Sequence, residues 1–165
     1  LMKPSTLLLV FALSASSAQA QTIDGKTAFE KLKGLAGTWS GPIGKADGPK
    51  GVIRYEVISA GSVVMEVLFP GAPHEMRSLY SLDKGDLILT HYCSSGNQPH
   101  MRMSKTASTA DKIVFDFDGG TNFDVAKDSH IHSGEIMFLP DGRLEANWNA
   151  WACLSRACRR WTRAG

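Results

Sequence analysis

The chain has 165 residues, 18 Lys and Arg against 16 Asp and Glu for a net charge of +2, and three cysteines. The positive charge is local: Lys3 lies in the first twenty residues and Arg156, Arg159, Arg160 and Arg163 in the last ten. Without them residues 21–151 hold 13 basic and 16 acidic side chains, a net of −3, which excludes a nucleic-acid footprint.

Residues 1–20 read as a cleavable secretory signal. Lys3 precedes the apolar run Leu7 to Leu13, and a small polar stretch then closes on Ala18-Gln19-Ala20, the order of an export signal. The run falls short of the roughly 20 residues that cross a bilayer. No later segment has a membrane span's length and apolarity, so a periplasmic or secreted protein is expected. The remaining chain fits one domain. At about 145 residues it buries about 68% of its unfolded surface, a core that holds without disulfide staples.

Residues Thr22 to Lys33 carry the clear helical pattern. Ile23, Phe29 and Leu32 can share a face, Asp24 suits the N-cap, and Gly34 stops the helix. Everything beyond reads as strands: Leu35–Pro42, Gly51–Ile58, Ser62–Phe69, Glu75–Leu82, Asp86–Cys93, His100–Thr106, Lys112–Phe117, His130–Leu139 and Arg143–Trp151. Ser59-Ala60-Gly61, Asp83-Lys84-Gly85 and Pro140-Asp141-Gly142 each predict a three-residue hairpin loop with a left-handed third residue. Consecutive hairpins predict an all-β, antiparallel up-and-down β-barrel of about 9–10 strands behind a short N-terminal helix. Alternation turns Ile113, Phe115 and Phe117 inward, and likewise Leu144, Ala146 and Trp148. Gly119-Gly120-Thr121-Asn122 precedes no apolar helical run and reads as a loop.

The helix ending Leu32-Lys33-Gly34-Leu35, followed by Gly37-Thr38-Trp39 at the first strand, resembles the entrance of lipocalin-like (calycin) β-barrels, where Gly-x-Trp closes the barrel's bottom. Leu35-Ala36-Gly37-Thr38-Trp39-Ser40-Gly41 is most similar to the nitrobindin-type haem-binding branch. Met65 to Gly71, Thr90 to Cys93, Gly96 to Pro99 and Gly119 to Asn122 are similar to an uncharacterised group of small secreted bacterial proteins with that barrel. The resemblance covers residues 21–151. That family's haem-ligating His lies near the C-terminus, and no His follows His132 here, so no haem ligand carries over by position. Residues 152–165 hold two cysteines, four arginines and no acid. They are expected to be an atypical basic tail, either a flexible end or a frameshifted or truncated replacement for the closing strand.

The chemistry-bearing candidates are histidines. His130 and His132 lie two residues apart on one strand face, which continues to Gly134, Ile136 and Phe138. His91 and Cys93 repeat that spacing on a face shared with Leu87 and Leu89. Two inward pairs could ligate zinc, copper or haem iron through His91, His130 and His132. They could equally be hydrogen-bonded lining residues, or face outward after a one-residue slip. Cys93 is also a disulfide candidate. Glu66 is read as solvated, because Val63, Met65, Val67 and Phe69 outnumber Val64 and Leu68 as an inward set. In the other register it is a buried acid needing a partner such as Arg77 or Arg102. His74 and His100 stand beside Pro-containing turns, as rim residues or exposed loop residues. No nucleophile elbow, metalloprotease helix or phosphate loop is present. The expected function is therefore a small-molecule-binding barrel whose interior holds an apolar or haem-like ligand. The alternatives are a metal-dependent or acid–base enzyme on the same barrel, and a cell-envelope accessory protein without a small ligand.

Overall fold

A computed structural model describes residues 21–44, 46–154 and 157–162. Helix α1 spans Gly25–Lys33, and Asp24 caps it: its Oδ1 accepts from the Thr27 backbone N–H at 2.7 Å. Ala28, Phe29 and Leu32 form its buried stripe. Ten strands follow, β1 Gly37–Pro42, β2 Lys50–Ile58, β3 Val63–Leu68, β4 Met76–Asp83, β5 Asp86–Tyr92, β6 Gln98–Met103, β7 Lys112–Thr121, β8 His130–Phe138, β9 Leu144–Leu154 and β10 Ala157–Thr162. They form one antiparallel sheet in chain order, curled into a half-barrel. This is the up-and-down architecture that the succession of hairpins implied. No helix among the described residues is long and apolar enough to cross a membrane.

The core lies on the concave face under α1. Val64, Tyr80, Leu87, Leu89, Met101, Ile113, Phe115 and Ile136 are buried there with the helix stripe. The alternation on β7 and β9 holds: Ile113 and Phe115 are fully buried, Asp116 is exposed, and Leu144 and Trp148 pack on the core. Trp39 also packs on the core and donates its indole N–H to the Leu35 carbonyl at 2.7 Å, tying the end of the helix to the first strand. The N-terminus of α1 rests on the β4–β5 turn. A Cβ at Gly25 would sit 2.4 Å from the Gly85 carbonyl oxygen and 2.6 Å from the Leu87 nitrogen, so only glycine allows that approach.

Several sequence expectations are corrected. Asp83 pairs with Asp86, so that loop has two residues rather than three. Lys84 and Gly85, at φ 51° and 95°, give the double left-handed turn that matches the strand twist. Gly119-Gly120-Thr121 belongs to β7, because Gly120 and Thr121 pair with Pro99 and Gln98. Gly120 lacks a side chain where the Phe123 ring passes; a Cβ there would lie 2.3 Å from that ring. Apart from these corrections, Ala157–Thr162 pairs with β9 as the last strand of the sheet.

Candidate functional site

The largest correction concerns Glu66. Its register partners are Tyr55 on β2 and Ser78 on β4, and Ser78 pairs in turn with His91 on β5. One row of side chains therefore crosses four neighbouring strands on the concave face: Tyr55, Glu66, Ser78, His91. Residues directly opposite in a ladder lie close enough to bond, and all four are buried, Glu66 completely. Counting apolar residues pointed the other way, since Val67 is buried too and β3 is apolar on both faces. Register decides, and it places Val64, Glu66 and Leu68 inward.

A buried carboxyl needs partners, and here they are hydroxyls rather than arginines. The Tyr55 and Tyr80 hydroxyls donate to Oε1 and Oε2 at 2.7 and 3.0 Å, and Ser78 faces Glu66 directly across the β3–β4 ladder. Arg77 instead pairs with Glu75, and Arg102 with Asp83, Asp86 and Asp118. Burial pushes the Glu66 carboxyl up, against the downward pull of the three hydroxyls. Both phenols are held well above their usual range, by burial first and then by the Glu66 charge.

The row ends on His91. Its Nδ1 lies 3.0 Å from Ser78 Oγ, while its Nε2 is buried with no hydrogen-bond partner. Burial lowers its pKa to about 4, so the imidazole is neutral at ordinary pH.

His130 and His132 build a different cluster. His130 Nδ1 lies 2.8 Å from the Asp128 carbonyl and must donate to it; His130 Nε2 therefore accepts from His132 Nδ1 at 3.0 Å. The two rings lie against Phe117, with His132 stacked on it at 4.4 Å; Phe123 and Trp151 complete the aromatic surround. A register shift in the β8–β9 ladder between Ile131 and Ser133 places His132 at a bulge, which lets two histidines two residues apart bond each other. Leu89 pairs with Met101 and Met101 with Phe117. Phe117 is on β7 and the His pair on β8, so the pair sits three strands away from β5, roughly 14 Å at ordinary strand spacing.

The other candidates fall apart from these groups. Cys93 is half-buried, accepts from Ser95 Oγ at 3.0 Å and approaches Met76 Sδ at 3.9 Å. The side chains of its conceivable disulfide partners, Cys153 and Cys158, lie outside the described residues. His74 is exposed in the β3–β4 loop, its ring 4.9 Å from Phe69. His100 pairs with Thr90, on the face opposite His91. Among the described residues no three His, Cys, Asp or Glu side chains are grouped to hold a metal ion. As a haem ligand, His91 fits by donor chemistry because its Nε2 is unengaged, whereas both nitrogens of His130 are used. An open groove of about 710 Å³ runs along Asp24, Thr27, Gly85, Asp86 and Lys105. It lies at the Asp86 end of β5, and His91 is at the other end.

No family model, curated protein or solved structure matches this chain. The site is therefore read from its own geometry. Sequence reading found His91 and Glu66 but not Tyr55, Ser78 or Tyr80, which make them a unit. Asn97 was also missed. It donates to the Ser129 carbonyl at 2.8 Å and leaves its buried Oδ1 unpartnered. A barrel-like sheet of this kind can hold a ligand on its concave face, and the buried row lies there.

Proposed function

We propose that this protein is an exported, calycin-like binding protein that holds a small, largely apolar molecule in the half-barrel, with His91 Nε2 as the polar contact. One observation carries the reading. In a row where Tyr55, Glu66, Ser78 and Tyr80 are all paired, His91 presents a buried nitrogen with no partner. Such an atom costs about 1–3 kcal/mol when left unsatisfied, which a bound donor or Lewis acid offsets. Leu87, Leu89, Met101 and Phe115 are buried in the core on the concave face with His91, apolar as the walls of ligand sites are. A pKa of about 4 makes His91 a weak base at neutral pH, which favours binding over acid–base catalysis.

The test begins with an organic extract of the purified protein, examined by mass spectrometry beside His91→Leu. A stoichiometric apolar compound is expected from the wild type and not from the variant. In parallel, hemin is added to both. A Soret band that His91→Leu lacks identifies the apolar molecule as haem-like. Repeated blank extracts together with no Soret band overturn the reading. Export is checked by the N-terminal sequence of protein recovered outside the cytoplasm; retention of residues 1–20 on cytoplasmic protein sinks that part.

A further inference from the structure

We infer that Gln21 is a modification site: once the leader is cut after Ala20, the new α-amine closes onto the residue's own side-chain amide, and the resulting pyroglutamyl end shields the segment that seats helix α1. The inference rests on the export proposed above and names what export does to the new first residue.

Cleavage after Ala20 puts a glutamine first, and a first glutamine carries an amine and a carboxamide within reach of each other. The neutral amine attacks Cδ. The N–Cδ bond forms, the Cδ–Nε2 bond breaks, and a proton of the amine leaves with Nε2 as ammonia. No oxidant, reductant or second reactant enters, and the product is a five-membered lactam. Closure inside one residue has the advantage of any well-placed intramolecular reaction. An α-amine titrates near 7.7–8.0, so at neutral pH about a tenth of it is already the nucleophile.

The fold exposes this residue and anchors those after it. Gln21 is exposed on the wall of the open groove of about 710 Å³, outside helix and sheet, which leaves room for the ring to close. Thr22 bridges Thr109, and the Ile23 N–H donates to the carbonyl of the buried Ser108 at 3.4 Å. Ile23 packs against the core, and Asp24 caps α1 through the Thr27 N–H. An exopeptidase that starts at an open Gln21 meets these groups one after another: the bridge, the core contact and the cap, whose loss weakens a helix. The lactam removes the terminal amine that such enzymes bind, and the positive charge with it. Trimming is thereby stopped one residue before the bridge.

The test uses the full chain, expressed with its leader and recovered outside the cytoplasm. Its intact mass, taken before any digestion, should be that of the chain from residue 21 onward less one ammonia, about 17 Da. Fragment spectra should place the loss on Gln21. A broad aminopeptidase should leave the wild type whole, whereas pyroglutamyl peptidase should remove one residue and open the chain to it. Gln21→Ser cannot form the lactam, so it should carry its full mass and lose its first residue to the aminopeptidase. The side chain is exposed, so this variant should melt with the wild type, and the difference between them is one of chemistry rather than folding. A wild-type chain that begins at Gln21 with its ammonia retained, or that is trimmed as fast as Gln21→Ser, overturns the inference while leaving export intact. A chain that begins at any other residue overturns cleavage after Ala20, and the inference falls with it.

Discussion

At the scale of the residue, His91 links the site to stability. An unfolded chain protonates this histidine near 6.5, whereas the folded protein resists protonation until about 4. Between those values the unfolded state binds more protons, so stability rises with pH across the window. The neutral ring's contribution is whole above 6.5, declines as pH falls, and levels off below about 4. The full window corresponds to about 3 kcal/mol. Glu66 acts in the opposite sense: its raised carboxyl pKa means the folded state takes up that proton first, which strengthens folding as pH falls above 4.5. The two effects are separated by substitution. Urea unfolding of the wild type and His91→Leu is compared at about pH 7 and about pH 5. The stability difference between them should shrink by about 2 kcal/mol in favour of the variant at the lower pH. Parallel pH slopes in the two proteins would remove His91 as the titrating group.

At the scale of the element, the helix is seated by a close approach rather than by propensity. Gly25 lies against backbone of the β4–β5 turn, with the Gly85 carbonyl and the Leu87 amide where a methyl would go. Gly25→Ala should therefore lift the start of α1 and lower stability by about 1–3 kcal/mol, as overpacking does. Gly34→Ala is the control. Gly34 closes the same helix at φ −63°, a conformation any residue adopts, and it should change the melting temperature little. Equal effects of the two would mean that the turn yields to the helix.

Elements of this kind were legible in the sequence because their signals are local. The Asp24 cap, the stripe of Phe29 and Leu32, the Gly-bearing turns and the alternation of Ile113, Phe115 and Phe117 all lie within a few residues of each other. The site was not legible for the opposite reason. Tyr55, Glu66, Ser78 and His91 are separated by eleven, twelve and thirteen positions, and only the register of three successive ladders places them in a row. On β3, where Val63, Val64, Met65 and Val67 are apolar on both faces, periodicity carries no information about which face Glu66 joins. The His130–His132 contact likewise depends on a bulge that no residue type announces.

At the scale of the molecule, the half-barrel sets where the sheet is weak. Each inner strand has two neighbours, while β1 pairs with β2 and β10 with β9; among the described residues no ladder joins β1 to β10. In an antiparallel pair, alternate backbone N–H groups point toward the partner and the rest point away. Along Gly37–Gly41, therefore, only alternate amides bond to β2, and the others face the open edge. Amide exchange followed residue by residue should show that alternation on β1. Strands β3 to β6, paired on both sides and carrying Val64, Tyr80, Leu89 and Met101 in the core, should be protected at nearly every position, close to the global unfolding limit. The pattern also discriminates between architectures. A barrel closed in solution would pair β1 on both sides and protect its consecutive amides alike. Uniform slow exchange across Gly37–Gly41 would therefore replace the half-barrel with a closed one.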